Sequence, residues 1–196
     1  MRKLYPLIFL TLLGTTPAHS AVMTFDDIPA GSLQGQVGSM PTYQGFTFSS
    51  TLDWIDVVES SWPYGAHSGE FALLNNEHGV GVISKADLSD FTFNSLWAKK
   101  WATTPESGNS AGTLSGYIAG YNNGVQVWSI NTVLNGSYQF IGGSTQAIDQ
   151  LHLGLGNNFL VDDITVNAVP VPGAIWLFGS VLAGLGIAGN RKKSKN

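Results

Sequence analysis

The chain has 196 residues, with 9 Lys or Arg, 13 Asp or Glu and no cysteine, for a formal net charge of −4. The lack of cysteine excludes disulfide staples and thiolate chemistry, and the acidic balance excludes the clustered cations that hold nucleic acid or an anionic surface. Six of the 9 basic residues (Arg2, Lys3, Arg191, Lys192, Lys193 and Lys195) stand at the two ends, so the middle carries 13 acidic residues against 3 basic ones, near −10.

Residues 1–20 read as a secretory signal peptide. Arg2 and Lys3 form the positive start, a short apolar run follows from Leu4 to Leu13, and Ala18-His19-Ser20 offers signal peptidase the small residues it inspects, with cleavage before Ala21. Residues 21–168 then make one exported domain of roughly 150 residues, enough for a real core.

Within that domain, β-branched and aromatic bursts alternate with Gly, Asn, Ser and Pro, the pattern of an all-β fold. Phe46 and Phe48 bracket Thr47, and Phe91 and Phe93 bracket Thr92. Residues 95–102 read as a short helix or equally as a strand with Trp97 and Lys99 on one face. Leu114 to Tyr121 and Val125 to Val133 flank Asn122-Asn123-Gly124, a strong hairpin signal. Leu151, Leu153 and Leu155 alternate with His152 and Gly154, as in a half-buried strand. Nine to eleven strands are expected, which suits a jelly-roll-like antiparallel β-sandwich rather than a small barrel.

Two segments share an Asp-Asp-Ile core. One is Phe25-Asp26-Asp27-Ile28 in the first expected strand (residues 23–29); the other is Val161-Asp162-Asp163-Ile164 in the last. The in/out alternation slips at each acidic pair. First and last strands of a jelly roll commonly lie side by side, so Asp26, Asp27, Asp162 and Asp163 are expected together. Four carboxylates with nearby carbonyls would suit a structural calcium ion; the plainer reading is a strand end or turn cap.

Trp54, Trp62, Tyr64, Trp97, Trp101 and Trp128 are candidate sugar-stacking rings. Trp62-Pro63-Tyr64-Gly65 is the most loop-like, so Trp62 and Tyr64 are the expected glycan contacts; the competing reading is core packing. Catalytic signals are missing. His67, His78 and His152 have no metal-ligand spacing, Ser68 is not in a Gly-x-Ser-x-Gly elbow, and the spacing of Glu59, Glu70 and Glu77 suggests no glycosidase pair. The domain is therefore expected not to be an enzyme.

Residues 169–196 carry three devices in series. Val169-Pro170-Val171-Pro172 holds the chain extended. Residues 173–189 are uncharged and, as a helix at about 1.5 Å per residue, reach roughly 25 Å, nearly a bilayer core. Trp176 suits the headgroup region, and Arg191, Lys192, Lys193 and Lys195 mark a cytoplasmic end.

The order Val169-Pro170-Val171-Pro172-Gly173-Ala174-Ile175-Trp176-Leu177-Phe178-Gly179-Ser180, an apolar Gly-rich run and a basic end resembles the PEP-CTERM sorting signal. Val171 replaces the middle Glu of the name-giving tripeptide. The resemblance implies sorting by an exosortase in a Gram-negative bacterium that makes exopolysaccharide. It also implies transient anchoring by the membrane helix, then release or transfer at the cell surface. The Phe-Asp-Asp opening and Asp-Asp-Ile-Thr-Val ending resemble those of exported sandwich domains with this signal, and of galactose-binding-like and carbohydrate-binding modules. The expected function is a structural, adhesive or glycan-binding component of an exopolysaccharide matrix or biofilm. The alternatives are a secreted polysaccharide-active enzyme and a plain C-terminally anchored membrane protein.

Overall fold

In a computed structural model, the described residues are 20–28, 37–57 and 64–169. They form twelve strands: β1 (Ser20–Met23), β2 (Val37–Ser39), β3 (Phe46–Phe48), β4 (Asp53–Asp56), β5 (Phe71–Asn75), β6 (Gly81–Lys85), β7 (Phe91–Lys100), β8 (Leu114–Asn122), β9 (Val125–Leu134), β10 (Gln139–Ile148), β11 (Gln150–Gly154) and β12 (Phe159–Ala168). One short 3-10 turn, Gly108–Ala111, interrupts them. The strand ambiguity at residues 95–102 resolves into β7, whose outward face carries both Trp97 and Lys99.

All pairings are antiparallel, and the strands make two sheets. The larger runs β10-β7-β12-β5-β4-β2, with β1 also on β12; the smaller runs β3-β6-β11-β8-β9. The fold is an all-β sandwich. The expected hairpin joins β8 to β9, and its turn residues Asn123 (φ 51°) and Gly124 (φ 76°) both take positive φ, as a tight primed turn requires. The count exceeds the expectation by one, and β2 is only three residues long, too short to show a period.

The main core lies between the sheets. Phe91, Phe93, Leu96 and Ala98 of β7 meet Phe159, Val161, Ile164 and Val166 of β12, with Leu151, Leu153 and Leu155 opposite. A second cluster covers the outer face of the large sheet: Ile55, Val57, Ala72, Leu74, Leu160 and Trp101, with Tyr64, Ala66 and Tyr138 packed on it. That is why every residue of β5 is buried. A strand covered on both faces loses the apolar–polar alternation.

β12 organises the large sheet. Its residues 159–168 pair with β7 along one edge. On its other edge, residues 159–161 pair with β5 and residues 164–167 with β1. The expected neighbourhood of first and last strands is therefore present, with Met23 opposite Ile164. At the change of partner, β12 bulges: Asp162 pairs with Trp97, but Thr165 pairs with Ser95. A second irregularity between Thr165 and Val166 restores the register. The extra residue lets Val161 and Ile164 both face the core, the slip in alternation visible in the sequence. The first acidic pair differs from expectation. Asp26 and Asp27 lie in a turn after β1 rather than within a strand, because Phe25 at φ 65° turns the chain out of the sheet.

Candidate functional site

Where β5 gives way to β1 along β12, backbone donors are left without a strand partner, and the two acidic pairs supply acceptors. Asp26 Oδ1 accepts the N–H of Glu70 (2.9 Å) and of Phe71 (3.2 Å). Asp162 Oδ2 accepts the N–H of His67 and of Ser68, each at 2.9 Å. Its Oδ1 accepts the N–H of Asp163 at 2.7 Å. The stretch 67–71 is thus stitched at one end to Asp162 and at the other to Asp26, with Gly69 between them.

The other two carboxylates hold side chains. Asp163 Oδ2 lies 2.6 Å from Nδ1 of His67, and its Oδ1 accepts the Ser68 hydroxyl at 2.8 Å. Asp27 accepts the Tyr43 hydroxyl; burial, with Asp27 beside it, pushes that phenol up to about 12. Burial also pushes the fully enclosed Asp162 up to about 8, against the three N–H donors that favour its charged form. Asp26, Asp162 and Asp163 line the stretch 67–71, whereas Asp27 turns to Tyr43, and each of the four accepts hydrogen bonds from this chain's own donors. Among the described residues no group of three or more His, Asp or Glu side chains is arranged to hold a metal ion.

His67, Ser68 and Asp163 have the composition of a hydrolytic triad without its connectivity. A nucleophilic serine passes its proton to a histidine nitrogen. Here hydroxyl and imidazole both turn to the same carboxylate, which makes a clamp. Glu70 is exposed, as are Glu77 and His78, and Glu59 lies outside the described residues. His152 stacks on Tyr121 at 4.1 Å.

Above the seam lies an aromatic group. The His67 ring stacks on Trp97 at 3.9 Å with planes 14° apart. Trp97 in turn meets Phe140 edge-on at 5.5 Å, its register partner on β10. Phe140 is 59% exposed on the outer face of the large sheet. Further along the same strands a cleft of about 300 Å³ is lined by Thr92, Phe93, Asn94, Gly143, Ser144, Thr145 and Asn167. Asn94 Oδ1 accepts the Thr92 hydroxyl at 3.4 Å and the Asn167 amide at 3.2 Å. Gly143 is required there, since a Cβ would stand 2.0 Å from the Phe93 carbonyl oxygen. The lining holds amides and hydroxyls and no charged side chain.

Of the two expected glycan contacts, Trp62 lies outside the described residues. Tyr64 is half-buried, its ring edge-on to Trp101 at 4.9 Å. The Tyr64 carbonyl accepts Nζ of Lys99 at 2.8 Å, which also donates to Thr103 O at 3.1 Å and lies 5.4 Å from the Tyr138 ring centre. Burial holds the Lys99 amine below its usual range. Tyr64 fastens the stretch 64–70 over the second apolar cluster, and among the described residues the large exposed aromatic ring is that of Phe140. Trp54 and Trp101 are buried. Alternation would have turned Thr92, Asn94 and Asn167 outward, but their meeting depends on β7 pairing with both β10 and β12.

Val169 closes the described chain. Pro170, Val171, Pro172, Trp176, Arg191, Lys192, Lys193 and Lys195 lie outside the described residues, as do the candidate span 173–189 and all of the expected signal peptide except Ser20, which begins β1. Among the described residues no helix is long and apolar enough to cross a membrane.

No protein-family model matches the chain, and no curated protein matches it. Among solved structures it is similar to an arabinose-bound GH51 α-L-arabinofuranosidase, at 10% identity and TM-score 0.40, over 74% of this chain and 26% of that one. It is also similar to the C-terminal family 22 carbohydrate-binding module of Clostridium thermocellum Xyn10B, at 10% identity and TM-score 0.38, over 76% and 91%. A third is a CBM61 module in complex with β-1,4-galactotriose, at 14% identity and TM-score 0.35, over 64% and 90%. The chain thus spans about a quarter of the arabinofuranosidase and about nine tenths of each module. Nothing about ligand or activity follows from likenesses this weak.

Proposed function

We propose that this chain is an exported binding protein that holds a neutral polysaccharide on the outer face of its seven-stranded sheet, and no enzyme. The observation that carries this reading is the exposed ring of Phe140, backed by Trp97, beside an uncharged cleft of amides and hydroxyls. Sugars present C–H faces that pack on aromatic rings and hydroxyls that amides recognise, the mixture of apolar walls and few polar groups found at ligand sites. Trp97 and Asn94 are three residues apart on β7, and Phe140 and Ser144 four apart on β10. Ledge and cleft therefore lie within about 10–13 Å along the strands, a reach suited to a short run of sugar units. Uncharged lining in a domain near −10 favours neutral over anionic glycans.

Export by signal peptidase and sorting by an exosortase belong to the same proposal, supported by residues 1–20 and 169–196. They place the sandwich outside the inner membrane, first tethered and then at the surface or in the exopolysaccharide matrix. Electrophoresis of the protein through gels containing neutral or anionic polysaccharides tests the binding reading. Retardation by a neutral polymer is expected, weakened about tenfold or more in Kd by Phe140→Ala or Asn94→Ala. Undiminished retardation of the double variant, with its Tm unchanged, removes this site.

A further inference from the structure

The geometry points to a second surface, the free edge of β9, through which the chain pairs with another copy of itself. From residue 107 to residue 148 the sequence contains no Asp, Glu, Lys or Arg. That uncharged stretch supplies β8, β9 and β10, and it ends each sheet: β9 is the last strand of the small sheet and β10 that of the large one. The strands of this side carry no charge of their own; Asp90 and Asp149 reach it at the β8–β9 hairpin, where they accept from Asn122 and Asn123, and Lys100 reaches Ala111.

An edge strand shows a row of N–H and C=O groups with no partner, and proteins blunt such edges with shortness, charge, proline or bulges. The other described edges are blunted. β2 and β3 have three residues each and β1 has four. β10 contains Gly142-Gly143 and loses register between Ser144 and Ile148. β9 has ten residues, Val-Gln-Val-Trp-Ser-Ile-Asn-Thr-Val-Leu, without charge, proline or glycine. Its register slips once, near the hairpin, between the pairs Gly120–Trp128 and Tyr121–Gln126. At the other end the Gln139 side-chain amide, once its nitrogen is turned toward β9, donates to the Val133 carbonyl at 2.9 Å. Residues 128–132 remain as a regular, open edge of ordinary strand length, about five residues.

Charge decides the occupant. Thirteen carboxylates lie outside residues 107–148, so two copies repel one another wherever those surfaces approach. Approach by the β9 edge sets one uncharged strand against another. Antiparallel strands are self-complementary about a two-fold axis, and such an isologous contact closes as a dimer. Two five-stranded sheets would then join through paired β9 strands, with Ser129 and Asn131, both exposed, opposite or diagonal to their counterparts.

Sedimentation of the purified full chain in detergent micelles tests this. A two-chain species is expected. Ser129→Lys with Asn131→Lys, which sets like charges against each other across the pair, is expected to weaken it about tenfold or more while Tm stays unchanged. Leu88→Lys, at a position 85% exposed in the turn between β6 and β7, is expected to leave it intact. A wild-type chain that is single at about 100 µM overturns the proposal. So does a dimer that survives the two lysines, or one that Leu88→Lys weakens equally.

Discussion

Gly69 lies so close to Asp26 that a Cβ on the glycine would stand 2.1 Å from Oδ1 of the carboxylate. Its φ of +57° disfavours any side chain as well. Between the residues fastened to Asp162 and those fastened to Asp26, only a glycine lets the backbone pass under the carboxylate. Gly69→Ala is therefore expected to cost about 2 kcal/mol or more, about 4–8 °C in Tm for a domain of this size. Gly45→Ala separates the two causes: it has φ +80° and nothing within 4 Å, so it should cost about 1 kcal/mol. Equal losses in the two variants, measured by thermal melts, would show that crowding at Asp26 is unimportant.

Asp162 makes the domain sensitive to pH in an unusual direction. Its carboxyl is raised from 3.8 to about 8 in the folded state, chiefly by burial. Between those values the folded chain keeps a proton that the unfolded chain has released. Stability then falls as pH rises through this window and levels off above about 8. Asp53, raised by burial and by the charge of Glu77, acts with the same sign. Melting curves from pH 5 upward should show Tm declining toward about 8, with a flatter slope in Asp162→Asn. A Tm that climbs over that interval contradicts the burial argument.

Calcium provides a second probe of the seam. Both oxygens of Asp162 and Oδ1 of Asp26 already accept backbone N–H groups. A cation there would compete with several of those bonds for the carboxylate oxygens, each worth about 0.5–1.5 kcal/mol net. Millimolar calcium is expected to leave Tm unchanged. A rise that disappears in Asp26→Ala would restore the calcium reading of the four carboxylates.

Sorting is decided by mass. Intact mass of the mature protein from cells with and without the exosortase should differ by the C-terminal span, lost only when the enzyme is present. A span kept in both would leave a simple membrane-anchored sandwich.

The sandwich was legible where alternation is local and one-sided, as at Leu151, Leu153 and Leu155, all fully buried, or at the Asn123-Gly124 turn. β5 was harder to see because the second apolar cluster covers its outer face, erasing the period. The Asp-Asp-Ile segments announced the adjacency of the first and last strands. What they could not announce was the use of the carboxylates, because the N–H groups they accept lie on residues 67–71, 94 positions before Asp162 in the case of Ser68. The Phe140 ledge escaped for a related reason. Its neighbour Trp97 and the His67 ring stacked on Trp97 come from two other parts of the chain, and no spacing within one segment reports that they stack.

The position of β12 has a mechanical consequence. The chain leaves the sandwich directly from the end of this strand, which is held along its length by β7 on one side and by β5 and β1 on the other. Tension arriving from beyond Val169 acts along β12, at right angles to hydrogen bonds that lie across it. Those bonds share the load in shear instead of opening one after another from an end, and resistance to forced unfolding is a matter of rate. A domain tugged by its tail is thus gripped at its centre.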